Sequence, residues 1–178
     1  MLKEQIFKAN DIRGVVTGAN PELDLDGARR LGAAFVDLLD LSGETFVTGR
    51  DMRQLGEELA MAFADGARRA GASIIHLGLT STDLLWFGSG HLGLPGVQFT
   101  ASHNPARYNG MKFCLAGASP VYSDFTADLR ERAKTVSIGD KVVGDYEERD
   151  LTAEFVAHLD RLVPVAGKRR IKVVVDAG

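Results

Sequence analysis

The chain holds a single cysteine, Cys114, so no internal disulfide can form, and that usage fits a reducing compartment. No uninterrupted apolar run approaches the ~18 residues of a membrane helix, and the opening MLKEQIFKAND has no signal-peptide core. Strong charge of either sign is also missing. Lys and Arg number 21 against 24 Asp and Glu, a formal net charge of −3, which argues against a nucleic-acid binder relying on a broadly basic surface. The reading is a cytoplasmic protein with neither a nucleic-acid nor a membrane partner. Metal-ligand spacing is absent too: His76, His91, His103 and His158 are far apart, and one cysteine makes no thiolate site. What remains is an ordinary globular composition, 45% apolar and 25% charged over 178 residues, enough to bury roughly 70% of the unfolded surface. Glycine is the one excess, with 20 residues scattered at turns.

Helical periodicity is clear over 24–41, where Asp24 is a candidate N-cap and Ala28, Leu31, Phe35, Leu38 and Leu39 share one stripe. It returns over 55–70, closed by Arg68, Arg69 and Gly71 at C′, and again over 124–134 and 152–162, the last read as capped by Thr152. Residues 82–88 are ambiguous and read as a short helix. Strands are expected at 45–48, 73–77, 97–101, 111–115 and 171–176. Alternation of helices with β-branched runs predicts an α/β fold, a three-layer α/β/α sandwich. The closeness of 97–101 to 111–115 makes its sheet mixed, though mostly parallel. The strand IKVVVD followed by Ala-Gly suggests a chain that stops inside a second domain, dividing it into 1–150 and 151–178. A C-terminal edge strand is the other reading.

The densest polar cluster is Thr100-Ala101-Ser102-His103-Asn104-Pro105-Ala106-Arg107-Tyr108-Asn109-Gly110-Met111-Lys112, at the end of an expected strand, where open α/β sheets bind ligands. With Met111 and Phe113 in the core, alternation sends Lys112 to the opposite face, within reach of Ser102. A serine hydrolase would want a Gly-x-Ser-x-Gly elbow, and neither glycine flanks Ser102. Phosphoryl transfer suits it better, because a phosphoserine needs cations and donors such as Lys112, Arg107, His103 and an Asn amide. A solvated turn serine is the plain alternative. Arg50-Asp51-Met52-Arg53, between a strand and a helix, can bind phosphate, brace the serine loop or be a surface ion pair. Arg13, before Gly14, can reach a site or anchor a turn. Gly88-Ser89-Gly90-His91-Leu92-Gly93 spells G-x-G-x-x-G, but Pro95 follows and 108–116 holds no acid, so it reads as a loop and not a dinucleotide site.

Together, T-A-S-H-N-P-x-x-Y-N-G-x-K at 100–112, D-I-R-G at 11–14 and G-R-D-x-R at 49–53 resemble the α-D-phosphohexomutase family, especially its phosphomannomutase/phosphoglucomutase branch. The resemblance covers essentially the whole chain but only the first of four family domains. It implies that Ser102 is the phosphorylated residue, passing its phosphate to a hexose phosphate and recovering the other phosphate from a hexose 1,6-bisphosphate intermediate. It implies Lys112 and Arg13 beside the phosphoserine, His103 and Asn104 shaping the loop, and Arg50, Asp51, Arg53 and Asn109 binding phosphate or supporting it. It implies Mg²⁺ bound at Ser102 through its phosphate, with the other ligands on later domains of the same polypeptide. The family often has Tyr where Asn10 stands, and Thr-Pro in the stretch Ser81-Thr82-Asp83. Its aspartate-rich metal loop, sugar-reading loop and late phosphate-binding loop have no counterpart, so residues 1–178 are expected not to turn over substrate alone. The alternatives are a phosphoglucosamine mutase and, if the native chain ends at 178, a non-catalytic sugar-phosphate or partner-binding module.

Overall fold

Alternating side chains on the central strands feed two hydrophobic layers, and this sets the architecture of the computed structural model. It describes residues 2–164, Gly167, Arg169 and residues 171–176. Among the described residues the strands are β1 (Asp11–Val15), β2 (Thr45–Arg50), β3 (Ser73–Leu79), β4 (Gly96–Phe99), β5 (Tyr108–Leu115), β6 (Ser119–Pro120) and β7 (Tyr146–Glu148). The helices are α1 (Leu25–Leu39), α2 (Gly56–Arg69), α3 (Thr82–Leu92), α4 (Phe125–Thr135) and α5 (Thr152–Leu162). The sheet runs β1-β5-β4-β2-β3-β7, with β6 added beside β5. Pairs β4–β2, β2–β3 and β3–β7 are parallel, while β5 is antiparallel to β1, β4 and β6. Only β5 is reversed among these strands, but because it pairs with three of them the six pairings divide evenly into three parallel and three antiparallel, so the sheet is mixed and not mostly parallel as expected.

On β2, Phe46 turns into one layer with Phe35, Phe63, Phe99, Phe113 and Phe125, under α1, α2 and α4. Its neighbour Val47 turns into the other, with Ile75, Leu77 and Leu85, against α3 and α5. The Phe35 ring lies 5.1 Å from Phe46 and 5.8 Å from Phe113, edge-on to the first and stacked on the second, so six phenylalanines form one aromatic core.

The α/β/α sandwich and the mixed sheet are as expected, and Asp24 does cap α1, accepting from the Gly27 N–H. Four details differ. α3 runs through Gly88-Ser89-Gly90 to Leu92 rather than giving way to a glycine loop. Ser89 is fully buried there and its hydroxyl donates to Leu94 O (2.6 Å), so packing overrides the weak helix propensity, and the helix ends only where Gly93 takes a left-handed φ of 70°. At α5 the cap position is Leu151, and the side-chain acceptor at the helix start is the Asp150 carboxylate, which takes the Thr152 N–H, rather than the Thr152 hydroxyl. Residues 171–176 form no strand: Ile171, Val173, Val174 and Val175 stand 64–89% exposed, with no neighbouring strand among the described residues to complete their hydrogen bonds. Ala177 and Gly178, expected to lead into a helix, lie outside the described residues. The short strands β1, β6 and β7 have no counterpart in the sequence reading. Among the described residues no helix is long and apolar enough to cross a membrane.

Candidate active site

Because β5 returns antiparallel beside β4, the connection 100–107 is held at the carboxyl edge of β4, next to the ends of β1 and β2. Ser102 sits exposed in this turn with φ of 55°, the left-handed region, at a cost of about 1–2 kcal/mol for a residue with a Cβ. Its N–H donates to Thr100 Oγ1 (2.9 Å), and its Oγ lies 3.3 Å from His103 Nδ1.

Arg53 holds the turn from inside. One of its terminal nitrogens donates to Pro105 O (3.1 Å) and Tyr108 O (3.2 Å), the other to Asn104 O (2.9 Å) and Ser102 O. A planar guanidinium suits four converging carbonyls, which one ammonium group could not span. Asp51 orients it, accepting from the Arg53 N–H at 3.0 Å and pairing with Nε at 3.2 Å, while its Oδ2 also takes the Thr100 hydroxyl at 2.6 Å. Buried Asn109 reaches across to donate to Gln54 O (3.1 Å), tying the start of β5 to the same turn. Arg53→Ala and Arg53→Lys are both expected to lower unfolding free energy by about 2 kcal/mol, read from the urea midpoint, since each leaves carbonyls of the turn without donors.

On the other flank, β1 and β5 pair Arg13 with Gly110 and Asp11 with Lys112. Asp11 Oδ2 accepts from Arg13 Nε (2.9 Å) and Nη2 (2.7 Å) and lies 3.4 Å from Lys112 Nζ. The remaining Arg13 arm donates to Asn104 Oδ1 (2.8 Å), which carries the cationic cluster to the serine turn. A cleft of about 660 Å³ opens here, lined by Lys8, Asn10, Arg13, His103 and Asn104 among others.

The structure therefore brings Ser102, His103, Asn104, Arg13, Asp51, Arg53 and Asn109 around one turn, while Lys112 is linked to it through Asp11 and Arg13, its described polar contact being Asp11 rather than Ser102. Arg50 is set apart. It leaves β2 on the same face as Thr48, pairs with Glu57 (2.8 Å), and lines a separate cleft with His76, Tyr146 and Glu148, where its Nε is buried without a hydrogen-bond partner. The sequence reading gave no role to Asp11 or Thr100. Asp11 is two residues from Arg13 on a strand and so shares its face, a signal available once β1 is recognised. Thr100 acts through a backbone bend that sequence does not reveal.

His76 accepts or donates at Nδ1 against Thr48 Oγ1 (2.8 Å), and burial pushes its pKa below the ordinary 6.5, with Glu148 and Glu57 opposing and Arg50 assisting. A depressed imidazole pKa means the unfolded chain takes up a proton first. Stability should hold above pH 6.5, fall as pH drops through that value, and level off below the folded-state pKa. Urea midpoints between about pH 7.5 and 5.5 are expected to fall in the wild type and less steeply in His76→Gln.

A family model described as phosphoglucomutase/phosphomannomutase, alpha/beta/alpha domain I, matches residues 4–138. A phosphomannomutase of Salmonella montevideo is 35% identical, over 97% of this chain and 38% of its own. An enzyme named "phosphohexose mutases" in Xanthomonas campestris pv. campestris is 38% identical over the same shares. The crystal structure of a phosphoglucomutase/phosphomannomutase family protein from Burkholderia thailandensis superposes with a TM-score of 0.77 at 33% identity, covering 89% of this chain and 36% of that one. The chain thus spans about 38% of the length of the curated relatives it matches. The serine turn of 100–107, its Arg53 brace and the antiparallel β5 that holds them lie inside the matched residues, and this chain belongs to the phosphoglucomutase/phosphomannomutase family, of which it carries the α/β/α domain I.

Proposed function

We propose that this chain is the phosphoserine-bearing part of a phosphohexomutase that interconverts hexose 1-phosphates and 6-phosphates of the mannose and glucose series. The observation that carries the reading is the placement of Ser102. Its hydroxyl is exposed on a turn pinned from below by Arg53, and the Arg13–Asp11–Lys112 cluster reaches that turn through Asn104.

In the proposed reaction a sugar hydroxyl oxygen bonds to phosphorus as the bond from phosphorus to Ser102 Oγ breaks. The hydroxyl proton leaves the sugar, Ser102 Oγ regains a proton, and a bisphosphorylated hexose results. After the sugar turns over, its other phosphate returns to Ser102 by the reverse step. Such transfer asks the protein for positioning and for stabilisation of spread negative charge. Arg13 and Lys112 supply the compensating positive charge, and sharing Asp11 Oδ2 fixes their direction before substrate arrives. His103 Nδ1 faces Ser102 Oγ at 3.3 Å, beside the oxygen that gives up and regains the phosphoryl group.

Mg²⁺ does not fit these residues alone. Among the described residues no three His, Cys, Asp or Glu side chains gather to hold a metal ion. Asp11 and Asp51 are engaged by Arg13, Lys112, Arg53 and Thr100, and Glu22, which also lines the cleft, accepts from the Val15 N–H and the Gln5 amide. The chain's 38% share of its relatives agrees with further domains on the same polypeptide.

The test is a single-turnover labelling of the full-length protein with hexose 1,6-bisphosphate carrying radioactive phosphate. Label on the peptide containing Ser102, chased off by hexose monophosphate, is expected. Absence of label, or label on another residue, overturns the reading.

A further inference from the structure

Thr100 is 5% exposed at the carboxyl end of β4, two residues before Ser102. Its hydroxyl has one proton to give, and that proton has a fixed destination: Asp51 Oδ2, 2.6 Å away, an acceptor when ionised. With the proton committed, an oxygen lone pair is left for the Ser102 N–H, 2.9 Å away. Asp51 is itself held by the Arg53 N–H and Nε.

Arg53 in turn donates to the Ser102 carbonyl oxygen. Both backbone polar groups of Ser102 are therefore clamped, the N–H by Thr100 and the C=O by Arg53, and both clamps converge on Asp51. Between them lies the one residue of this turn with φ of 55°. A left-handed serine persists only where its surroundings over-determine it. A hydroxyl bonded in two defined directions does that, whereas a methyl in its place would leave the Ser102 N–H free to rotate away.

We propose that Thr100 is a positioning residue for phosphoryl transfer at Ser102. Its Asp51-directed hydroxyl fixes the Ser102 backbone so that Oγ faces the incoming phosphorus. The inference rests on the phosphoserine reading and adds to it a residue that touches neither substrate nor the reacting atoms. Misplacing a reacting atom by about 1 Å costs on the order of 10²-fold in rate, so the effect should be large although the Thr100 hydroxyl bonds only Asp51 and the Ser102 backbone.

The experiment compares wild type, Thr100→Val and Thr100→Ser in the full-length protein. It follows the rate of Ser102 labelling by hexose 1,6-bisphosphate, and kcat and KM for hexose 1-phosphate. Thr100→Val keeps the shape and loses the hydroxyl. It is expected to lower kcat and the labelling rate by roughly 10–100-fold while KM changes less than about threefold, because sugar binding does not pass through this bond. Thr100→Ser, which restores the hydroxyl, is expected to return most of the rate. A merely structural role would show no such rescue ordering and no kcat-against-KM split. If Thr100→Val unfolds, Thr100→Ala takes its place, compared with Thr100→Ser at matched urea midpoints. Hydroxyl-free variants that label at the wild-type rate overturn the positioning role alone. A wild type that takes no label on Ser102 overturns the phosphoserine reading and this inference with it.

Discussion

Ser102→Ala is expected to lower hexose-phosphate interconversion by the full-length protein by at least about 10³-fold while leaving its urea midpoint almost unmoved. The loss follows from having no oxygen to accept and return the phosphoryl group. The silence in stability follows from the surroundings. Ser102 is exposed, and its Oγ has one contact, 3.3 Å to His103 Nδ1, too long to contribute much. Ser102→Gly separates the two effects further. Glycine takes φ of 55° without the Cβ penalty, so this variant should be as inactive as alanine yet more stable than wild type by about 0.5–1 kcal/mol. Activity of Ser102→Ala within tenfold of wild type would mean that the phosphate travels through another group. A Ser102→Gly variant less stable than wild type would mean that the turn is not strained.

That strain marks the limit of what the amino-acid order alone discloses. The α1 boundary is legible because Asp24 and the Leu31–Phe35 stripe are local signals, and the N–H of Gly27 does meet the Asp24 carboxylate. α3 is not fully legible: three glycines and a serine within Gly88–Gly93 read as a loop, but burial of Ser89 keeps the segment helical. β1 escapes because Asp11 and Arg13 interrupt its apolar pattern for the sake of each other. The opposite error occurs at 171–176, where strand-forming valines have no partner strand among the described residues. In the site, the T-A-S-H-N-P stretch and Arg53 stand out by composition. The Asp51–Thr100–Ser102 chain does not, because 49 residues separate the first two and their meeting depends on β2 lying beside β4.

Gly66→Ala is expected to destabilise the fold by more than about 3 kcal/mol, against the sign that helix propensity alone would give. In the interior of a helix, alanine is preferred to glycine by about 1 kcal/mol, so a substitution that met nothing would stabilise. Here α1 and α2 cross with their backbones in contact. A Cβ on Gly66 would lie 1.8 Å from Arg29 O, and one on Gly32 would lie 2.0 Å from Phe63 O. Both obstacles are carbonyl oxygens of rigid helices, so neither can swing aside as a side-chain tip would. The helices must separate, which opens the layer where Phe35 and Phe63 pack at 5.8 Å. Gly32→Ala should cost a similar amount for the same reason. The double variant should cost less than the two single losses added together, since a separation forced by one methyl already makes room for the other. Urea denaturation of the three variants decides it. Stabilisation by either single substitution would show that the helices can part without loss, and strict additivity would show that the two glycines act at independent contacts.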